Sequence, residues 1–399
     1  MSRLEELIQQ YCPDGVEYKK IKEVYQRIKG TPITAGKMKE IQCPTGEIRI
    51  FAGGKTVIDA NEADIPNANI TRVPSVLVQS RGVIDAIYYD KPFTFKNEMW
   101  AYTHKEQTSV KFLYYVMKQN IQHFRDAASG MGALPQISLG TTEDFVIPVP
   151  PLPVQEEIVR ILDNFAELQA ELQAELQKRR KQYEYYRDKL LTFSDLGKSG
   201  GWTVSVQWMK LGEICLKVCS GGTPSRGNSD YFTGDIPWLR TQEVDWNDIY
   251  DTEIKITEDA VKNSSAKLIP KNCVIIAMYG ATAAKVGINK IPLTTNQACC
   301  NLQINPLKAL YKYVYYWVCN QYEHLKSLGQ GSQNNLNAQT IKEYPIPVPS
   351  LEEQQRIVDI LDRFNKLTTD ITAGLPAEIE ARRKQYEYYR DRLLTFKQK

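Results

Sequence analysis

Three short segments carry residue types that could do chemistry. Gly53-Gly54-Lys55-Thr56 ends like a phosphate-binding loop, and Phe51-Ala52-Gly53-Gly54 has glycines like those of a turn that binds S-adenosylmethionine. Asp14, Glu17 and Lys19 match the two carboxylates and lysine found in many nucleases. A phosphate loop needs its lysine to reach the phosphates, and paired carboxylates hold a catalytic metal ion. The spacing decides whether these chemistries are available.

None of the three segments meets its requirement. Arg49 stands where the phosphate loop needs its first glycine, and in the similar run Gly222 to Gly227 the next residue is Asn228 instead of lysine. The sequence has no Asn-Pro-Pro-aromatic motif, which an amino-methylating enzyme would need. Asp14 and Glu17 lie three residues apart beside a Pro/Gly turn, whereas two acids that share a metal ion normally come from separate strands. We therefore predict ordinary turns here, and a chain without catalytic residues.

Composition narrows the class of protein further. The net charge is +3, so any contact with nucleic acid must come from local clusters, because a bulk electrostatic binder is far more basic. The eight cysteines form no Cys-x-x-Cys pair, and the three histidines are scattered, so we predict no metal site. No apolar stretch reaches the roughly 18 residues of a membrane span. The acidic, amphipathic N-terminus does not resemble a secretory signal, which predicts a cytoplasmic protein.

An internal repeat dominates the sequence. Residues 179–193 read RRKQYEYYRDKLLTF and residues 382–396 read RRKQYEYYRDRLLTF, so only Lys189 and Arg392 differ. Just upstream, residues 147–165 read IPVPPLPVQEEIVRILDNF and residues 346–364 read IPVPSLEEQQRIVDILDRF. The chain is therefore a tandem repeat of two halves, each ending in the same module.

Each module has the pattern of a long helix. Pro153 suits a first helical turn, and no glycine or proline interrupts residues 154–193. About 40 residues make a helix of about 60 Å, whose apolar seam needs a partner helix. The second module is the natural partner, and Gly374-Leu375-Pro376 predicts a break within it. The predicted seams are Ile158, Ile161, Phe165, Leu168, Leu172, Tyr183, Tyr186, Leu190 and Phe193, and Ile357, Ile360, Phe364, Leu367, Ile371, Tyr386, Tyr389, Leu393 and Phe396.

The segments before the modules have a different pattern. Residues 16–145 and 204–344 alternate short β-branched runs with turn residues and helical stretches, which predicts α/β domains with a curled, largely β part. They share weak landmarks: Gly30-Thr31-Pro32 with Gly222-Thr223-Pro224, the segment at Gln79 to Ile84 with Met278 to Thr282, and Gln136 to Leu139 with Asn335 to Ala338. Divergent domains on near-identical modules indicate a common frame that presents two recognition surfaces.

These residues together resemble the DNA-specificity subunit of type I restriction–modification systems. The resemblance covers nearly the whole chain and is most specific in the duplicated module blocks. The second domain adds SGGTPS at residues 220–225, IPWLR at 236–240 and TTNQ at 294–297. The predicted domains are a first target recognition domain (1–145), a central helical spacer (146–193), a linker (194–203), a second target recognition domain (204–344) and a C-terminal helical spacer (345–399).

The resemblance implies an architecture and a division of labour. The fold would be α/β (α+β), with two recognition domains joined by two long helices in an antiparallel coiled coil, in a pseudo-two-fold tandem repeat. Each domain would recognise one half of a bipartite double-stranded DNA target, and the modules would dock two methylation subunits. A motor-nuclease subunit would join them. Catalysis, S-adenosylmethionine, ATP and magnesium would belong to these partners. The alternatives are a self-contained methyltransferase or nuclease, and a coiled-coil scaffold that binds no DNA.

Two sets of residues are candidates for contacts. Arginine pairs with guanine, and asparagine or glutamine with adenine, in the major groove. For DNA the candidates are Lys55, Arg81, Arg226, Arg240, Asn296, Gln297, Gln333, Asn334 and Asn335, for each of which a solvated loop or a phosphate contact is the alternative. For partner subunits they are Tyr183, Tyr185, Tyr186, Arg187, Tyr386, Tyr388, Tyr389 and Arg390, because the tyrosines cannot all face one partner helix. The alternative is that they only pack the coil.

The central module also contains a tandem of Ala-Glu-Leu-Gln beginning at Ala166, Ala170 and Ala174. All of these residues favour helices, so a solvated helix explains the composition. It does not explain the period of four. The family resemblance associates short repeats in this connector with the length of the DNA spacer.

Overall fold

The computed structural model describes residues 2–54, 56–129, 134–193, 198–199, 202–203, 206–330, 335–369 and 373–399. The chain divides into two compact units. The first unit consists of Met1–Gln173 and Glu378–Lys399, and the second consists of Ala174–Ala377. The chain thus passes from the first unit to the second inside the Ala-Glu-Leu-Gln tandem. Most of the predicted linker 194–203 lies outside the described residues.

The long helices confirm the interpretation of the modules. The central helix is continuous over Leu152–Leu191, with Pro153 in its first turn, where the missing amide hydrogen costs nothing. The second module forms two helices, Leu351–Thr369 and Leu375–Leu393, as the Gly374-Leu375-Pro376 sequence predicts. Its predicted seam residue Ile371 lies outside the described residues.

The first unit builds its recognition domain from antiparallel and parallel strand pairs. In one sheet the order is Gln26–Lys29, Trp100–Thr103, Ser75–Gln79 and Asp85–Tyr89, all antiparallel. In another, Ile48–Phe51 lies between antiparallel Val57–Ala60 and parallel Phe93–Phe95. Glu17–Lys20 pairs with Val146–Val149. The helices of the domain are Arg3–Tyr11, Ile21–Val24, Ala35–Ile41, Gln107–Gln119, Ile121–Asp126 and Leu139–Glu143, with a 3-10 turn at Glu62–Asp64.

The second unit repeats this plan. Its larger sheet has the order Cys215–Ser220, Cys299–Ile304, Val274–Ala277, Val286–Asn289 and Asp248–Ile249. Ile236–Leu239 lies between antiparallel Lys255–Ile256 and parallel Thr294–Thr295. Gln207–Lys210 pairs with Pro345–Val348, and Lys198–Ser199 with Trp202–Thr203. The helices are Glu258–Lys262, Tyr311–Asn320, Tyr322–Ser327 and Ala338–Glu343, with 3-10 turns at Leu211–Ile214, Ser229–Phe232, Thr241–Glu243 and Gly280–Thr282.

Each recognition domain packs on the part of the coil in its own unit. In the first unit Ile158 and Leu162 of the central helix are fully buried in the main domain core, which also holds Leu394. In the second unit Leu190 lies in the corresponding core with Ile357 and Leu361.

Within each unit the helices of the two modules contact each other through stacked aromatic rings. Phe165 stacks on Tyr389 at 5.5 Å in the first unit, and Tyr186 stacks on Phe364 at 5.5 Å in the second. The prediction that the two modules are partners is therefore confirmed. Leu367 of the predicted seam is 37% exposed, about as much as the stacked Tyr186 and Tyr389.

Residues 397–399 form backbone hydrogen bonds with Val16 in the first unit. The amide of Val16 donates to the carbonyl of Lys397 at 2.9 Å, and the amide of Lys399 donates to the carbonyl of Val16 at 3.0 Å. Gly15 has a φ of +111°, and a Cβ there would lie 2.6 Å from the Lys397 carbonyl oxygen, so the turn requires glycine. As predicted, the segment around Asp14 is a turn that leads into a strand, Glu17–Lys20.

Candidate nucleic-acid interface

Loops of the first unit are joined by hydrogen bonds into a cluster that we name the first corner (residues 52–54, 80–83, 96–98 and 134–137). The amide of Gly54 donates to the carbonyl of Arg81 at 3.1 Å, and that of Gly82 to the carbonyl of Pro135 at 2.8 Å. The Ser80 hydroxyl donates to the carbonyl of Glu98. Parts of all four segments line an open cavity of about 650 Å³. Loops distant in sequence thus form one concave surface.

Loops of the second unit form a matching cluster, the second corner (residues 240–243, 278–282, 296–298 and 335–336). The amide of Met278 donates to the carbonyl of Ala298 at 2.8 Å, and that of Leu336 to the carbonyl of Met278 at 2.8 Å. The amide of Gly280 donates to Oδ1 of Asn335 at 3.3 Å. The turns Thr241–Glu243 and Gly280–Thr282 lie against each other.

The two corners share a backbone hydrogen bond and a glycine turn. Ile137 donates to Ser80 at 2.9 Å just as Leu336 donates to Met278, and the glycines that follow, Gly82 and Gly280, have φ values of +79° and +74°. A left-handed residue at this point turns the chain sharply, which favours glycine. The predicted positional matches of these two segments are confirmed.

The equivalence also identifies corresponding positions of the two corners that the sequence alone did not identify. Arg81 of the first corner corresponds to Tyr279 of the second, and Tyr279 is 42% exposed. Lys96 donates to Phe51 at 3.0 Å as Asn296 donates to Leu239 at 2.9 Å, so the exposed amides Asn97 and Gln297 also correspond.

The remaining landmark, Gly30-Thr31-Pro32 with Gly222-Thr223-Pro224, is offset by one residue between the two domains. Thr31 donates to the carbonyl of Phe95, whereas the equivalent bond to Thr295 comes from Gly222 and not from Thr223. Phe95 and Thr295 are equivalent because each ends the parallel strand pair of its domain. Identical letters therefore do not occupy identical positions here.

The predicted arginines fall into two groups. Arg81 and Arg226 are exposed, and within the described part of the chain neither guanidinium has a hydrogen-bond or ion-pair partner. Arg240 is instead held by Glu253 and by Glu243, whose carboxylate lies 3.6 Å away. A guanidinium with two carboxylate partners is already neutralised, so Arg240 shapes its loop in the free protein.

The predicted amides use their oxygens inside the corner. Oδ1 of Asn296 accepts from the amide of Ala298 at 3.2 Å, Oε1 of Gln297 accepts from the Thr223 hydroxyl, and Oδ1 of Asn335 accepts from Gly280. Their side-chain amino groups make no hydrogen bond to any described residue, which leaves donors for an external acceptor. Lys55, Gln333 and Asn334 lie outside the described residues.

The tyrosines of the modules divide by position in the same way in both units. Tyr183 and Tyr386 pack against the domain cores, and burial raises the pKa of each to about 12. Arg187 and Arg390 lie over these rings at 5.9 and 5.8 Å. These four residues belong to the coil and its packing.

Of the remaining four tyrosines, Tyr185 and Tyr388 face outward, whereas Tyr186 and Tyr389 pack on the coil. Tyr186 and Tyr389 stack on the opposite helix and are each 38% exposed. Tyr185 and Tyr388 are each 59% exposed, although each makes an edge contact with the tyrosine that follows it. An exposed aromatic ring repeated with the same exposure in both modules is typical of a surface that binds a partner.

Among the described residues, no group of three or more histidine, cysteine, aspartate or glutamate side chains is placed to hold a metal ion. No described helix is both long enough and apolar enough to cross a membrane.

Comparison with known protein families shows to which family the chain belongs. Residues 13–179 and 204–381 each match the family described as type I restriction modification DNA specificity domain. This chain belongs to that family. Both matched segments contain one recognition domain and the greater part of a module, so the repeat seen in the sequence is the repeat of the family.

Relatives of the specificity family match over most of their length. The chain is 41% identical over 303 residues to the type I restriction enzyme EcoR124I/EcoR124II specificity subunit of Escherichia coli, covering 73% of this chain and 72% of that one. It is 33% identical over 325 residues to a putative specificity subunit of Haemophilus influenzae, covering 75% and 77%. The solved S subunit of M. genitalium has a TM-score of 0.58 at 18% identity and covers 96% of both chains, which shows a shared fold.

Sequence reasoning about this specificity chain missed Tyr279 and Asn97. A search for arginine and for the TTNQ run finds Arg81 and Gln297, but not their equivalents with different side chains. The signal that could have found Tyr279 is the glycine that follows it, aligned with the glycine after Arg81. Positions that are equivalent in the fold but differ in residue type are expected where two domains recognise two different sequences.

Proposed function

We propose that each corner contacts one half of a bipartite DNA target, so that this specificity chain recognises two half-sites without catalysing a reaction. The observation that carries the proposal is the duplicated corner. Two backbone hydrogen bonds and a left-handed glycine recur in equivalent loops of both units, while the exposed side chains differ, as in Arg81 and Tyr279. A fixed frame with exchanged surface residues is what two different base sequences require.

The chemistry of the exposed groups supports contact with DNA. The unpaired guanidinium groups of Arg81 and Arg226 can donate to guanine or to phosphate, and the free amino groups of Asn296, Gln297 and Asn335 can donate to base acceptors. Tyrosine can donate a hydrogen bond to phosphate and pack on sugar. We place Arg240 outside this set in the free protein, because its carboxylate partners would have to be displaced first.

The modules are proposed to set the spacing of the half-sites and to dock two methylation subunits, one at each exposed tyrosine. A motor-nuclease subunit would complete the restriction complex. In this proposal S-adenosylmethionine, ATP and magnesium act in the partner subunits. The cytoplasmic location also stays a prediction of the sequence.

Exchange of the second domain tests the assignment of half-sites. Residues 211–344 would be replaced by those of a relative, so that the paired strands Gln207–Lys210 and Pro345–Val348 stay from one parent. We expect the methylated motif to change in one half and to keep the other, read by mapping methylated sites in cells. A motif that changes in both halves, or in neither, would contradict the proposal.

Native mass measurement tests the assembly. Because the exposed tyrosine occurs once in each module, we expect two methylation subunits per chain in the purified methyltransferase. A stable and fully active complex with one methylation subunit would refute this stoichiometry. Methyl transfer by the chain alone would favour a self-contained enzyme, and failure of the complex to bind DNA would favour a scaffold.

A further inference from the structure

A carboxylate on each module binds two residues of the recognition domain in its own unit. In the first unit Lys111 Nζ lies 2.6 Å from Oδ2 of Asp163, and the Tyr115 hydroxyl donates to Oδ1 at 2.6 Å. Lys111 and Tyr115 lie four residues apart on the helix Gln107–Gln119, so they face the same side. Asp163 belongs to the central helix.

The second unit repeats this arrangement atom for atom. Lys312 Nζ pairs with Oδ2 of Asp362, and the Tyr316 hydroxyl donates to Oδ1 at 2.6 Å. The exposed fractions also match: Asp163 and Asp362 are each 35% exposed, and the two lysines are 33% and 35% exposed. We name each set of three residues a seat.

The seats are conserved between domains that otherwise differ. The first domain reads KFLYY at residues 111–115 and the second reads KYVYY at 312–316, inside segments with few other shared residues. The neighbouring tyrosine has diverged in its contacts, since Tyr315 donates to the carbonyl of Trp246 whereas Tyr114 packs near Tyr88. The lysine and the second tyrosine, in contrast, keep the same contacts to the module in both domains.

The geometry of a seat restricts the docked helix in two ways. Two bonds from the two oxygens of one carboxylate reach residues that are about 6 Å apart along the domain helix. A slip of one residue would move the pair by about 1.5 Å and rotate it by about 100°, which would break both bonds. A seat therefore fixes the axial position and the rotation of the domain helix on the module.

We propose that the seats are the docking key between exchangeable recognition domains and the constant helical frame. Lys111 and Tyr115, and Lys312 and Tyr316, act as positioning residues through Asp163 and Asp362. They hold each domain at one place on the helix, so that the helices alone set the spacer between half-sites. The inference rests on the proposed function, in which the modules set that spacer.

The experiment measures spacer tolerance with the complete methyltransferase complex. Duplexes carry the wild-type half-sites with the native spacer, one base pair fewer or one base pair more, and methylation rates are compared. We expect Asp163→Asn to keep both half-sites but to raise the relative rate on the altered spacers by about fivefold, as the loss of a partly exposed charged pair implies. Asp362→Asn should do the same from the other unit.

A matched control lies on the same domain helix. Lys118 Nζ pairs with Asp85 at 2.7 Å, and both side chains are similarly exposed, but Asp85 belongs to the recognition domain itself. Asp85→Asn should leave the spacer preference unchanged. Tyr115→Phe removes a single oxygen, and its effect should be less than additive with that of Asp163→Asn, because both act on one carboxylate.

The outcomes are distinguishable. If Asp163→Asn and Tyr115→Phe methylate only the native spacer at the normal rate, the docking key is wrong while the bipartite function stands. If Asp85→Asn relaxes the spacer equally, the effect is general loosening and the docking key is again wrong. If the wild-type complex shows no fixed spacer at all, the proposed function and this inference both fall.

Discussion

Deletion of one Ala-Glu-Leu-Gln unit, Ala174 to Gln177, should shorten the DNA spacer and leave both half-sites unchanged. The tandem lies inside the continuous helix Leu152–Leu191, where the chain passes from one compact unit to the other. A change of length at this point leaves the internal contacts of both recognition domains intact. The spacer is the property that it alters.

The size of the change follows from helix geometry. Four residues advance about 6 Å and turn about 400°, a net rotation of about 40°. One base pair advances about 3.4 Å and rotates about 34–36°. Rotation must be preserved for both corners to face the groove, and it matches one base pair within about 5°, whereas two base pairs would differ by about 30°. We therefore expect a spacer one base pair shorter.

The structure indicates that the deletion preserves the helix surface. Leu168, Leu172 and Leu176 are all half-buried, so after the deletion Leu172 takes the place of Leu176. Glu175 pairs with Arg179 at 2.6 Å, four residues later. The deletion places Glu171 four residues before Arg179, which restores the same pair.

The assay is the methylated motif of the deletion variant, mapped in cells that carry the complete system. The control deletes only Ala174 and Glu175, which turns the rest of the helix by about 200°. That turn takes the two corners out of the rotational phase that both half-sites require, so we expect loss of activity in place of a new spacer. If the four-residue deletion is fully active with the original spacer, the tandem is only a solvated helix and the reasoning is refuted.

Three further predictions concern single side chains. Arg81→Ala should lower discrimination at the first half-site by about 1–3 kcal/mol and leave the second unaffected, as measured by methylation of duplexes altered in either half; equal loss at both would contradict the corner assignment. Tyr185→Ala and Tyr388→Ala should each weaken the binding of one methylation subunit by about 1–2 kcal/mol, measured by titration followed by native mass measurement. Unchanged binding in both variants would exclude these rings from docking. Glu157 is almost fully buried, and its Arg160 partner lowers its pKa, so the pair stabilises the fold above the ordinary carboxyl pKa and loses this effect as the pH falls through the lowered value. Glu157→Gln should therefore cost about 0.5–1 kcal/mol at pH 7 and less near pH 4, and a cost in urea unfolding that does not depend on pH would oppose this account.

The helical modules and the family could be predicted from the sequence because both are recognised from patterns of residues that lie close together in the chain. A helical seam is a pattern of three- and four-residue steps, so it is visible without knowledge of the partner, and the near-identical blocks at residues 179–193 and 382–396 identify that partner. The break at Gly374 and the surplus of tyrosines on the coil follow from residue types alone. The sequence thereby predicted that some tyrosines face outward, although only the structure identifies Tyr185 and Tyr388 as the most exposed.

The candidate interface was decided by the tertiary structure, because its loops come from segments far apart in the chain. Arg240 has the residue type for reading guanine, but its guanidinium is paired with the carboxylate of Glu253, thirteen residues later. Tyr279 carries no sequence signal of its own, yet the hydrogen bonds of Met278 and Gly280 place it where the first domain has Arg81. Residue type and spacing determine helices and their seams, whereas the partners of a loop side chain depend on which distant loops the fold brings beside it.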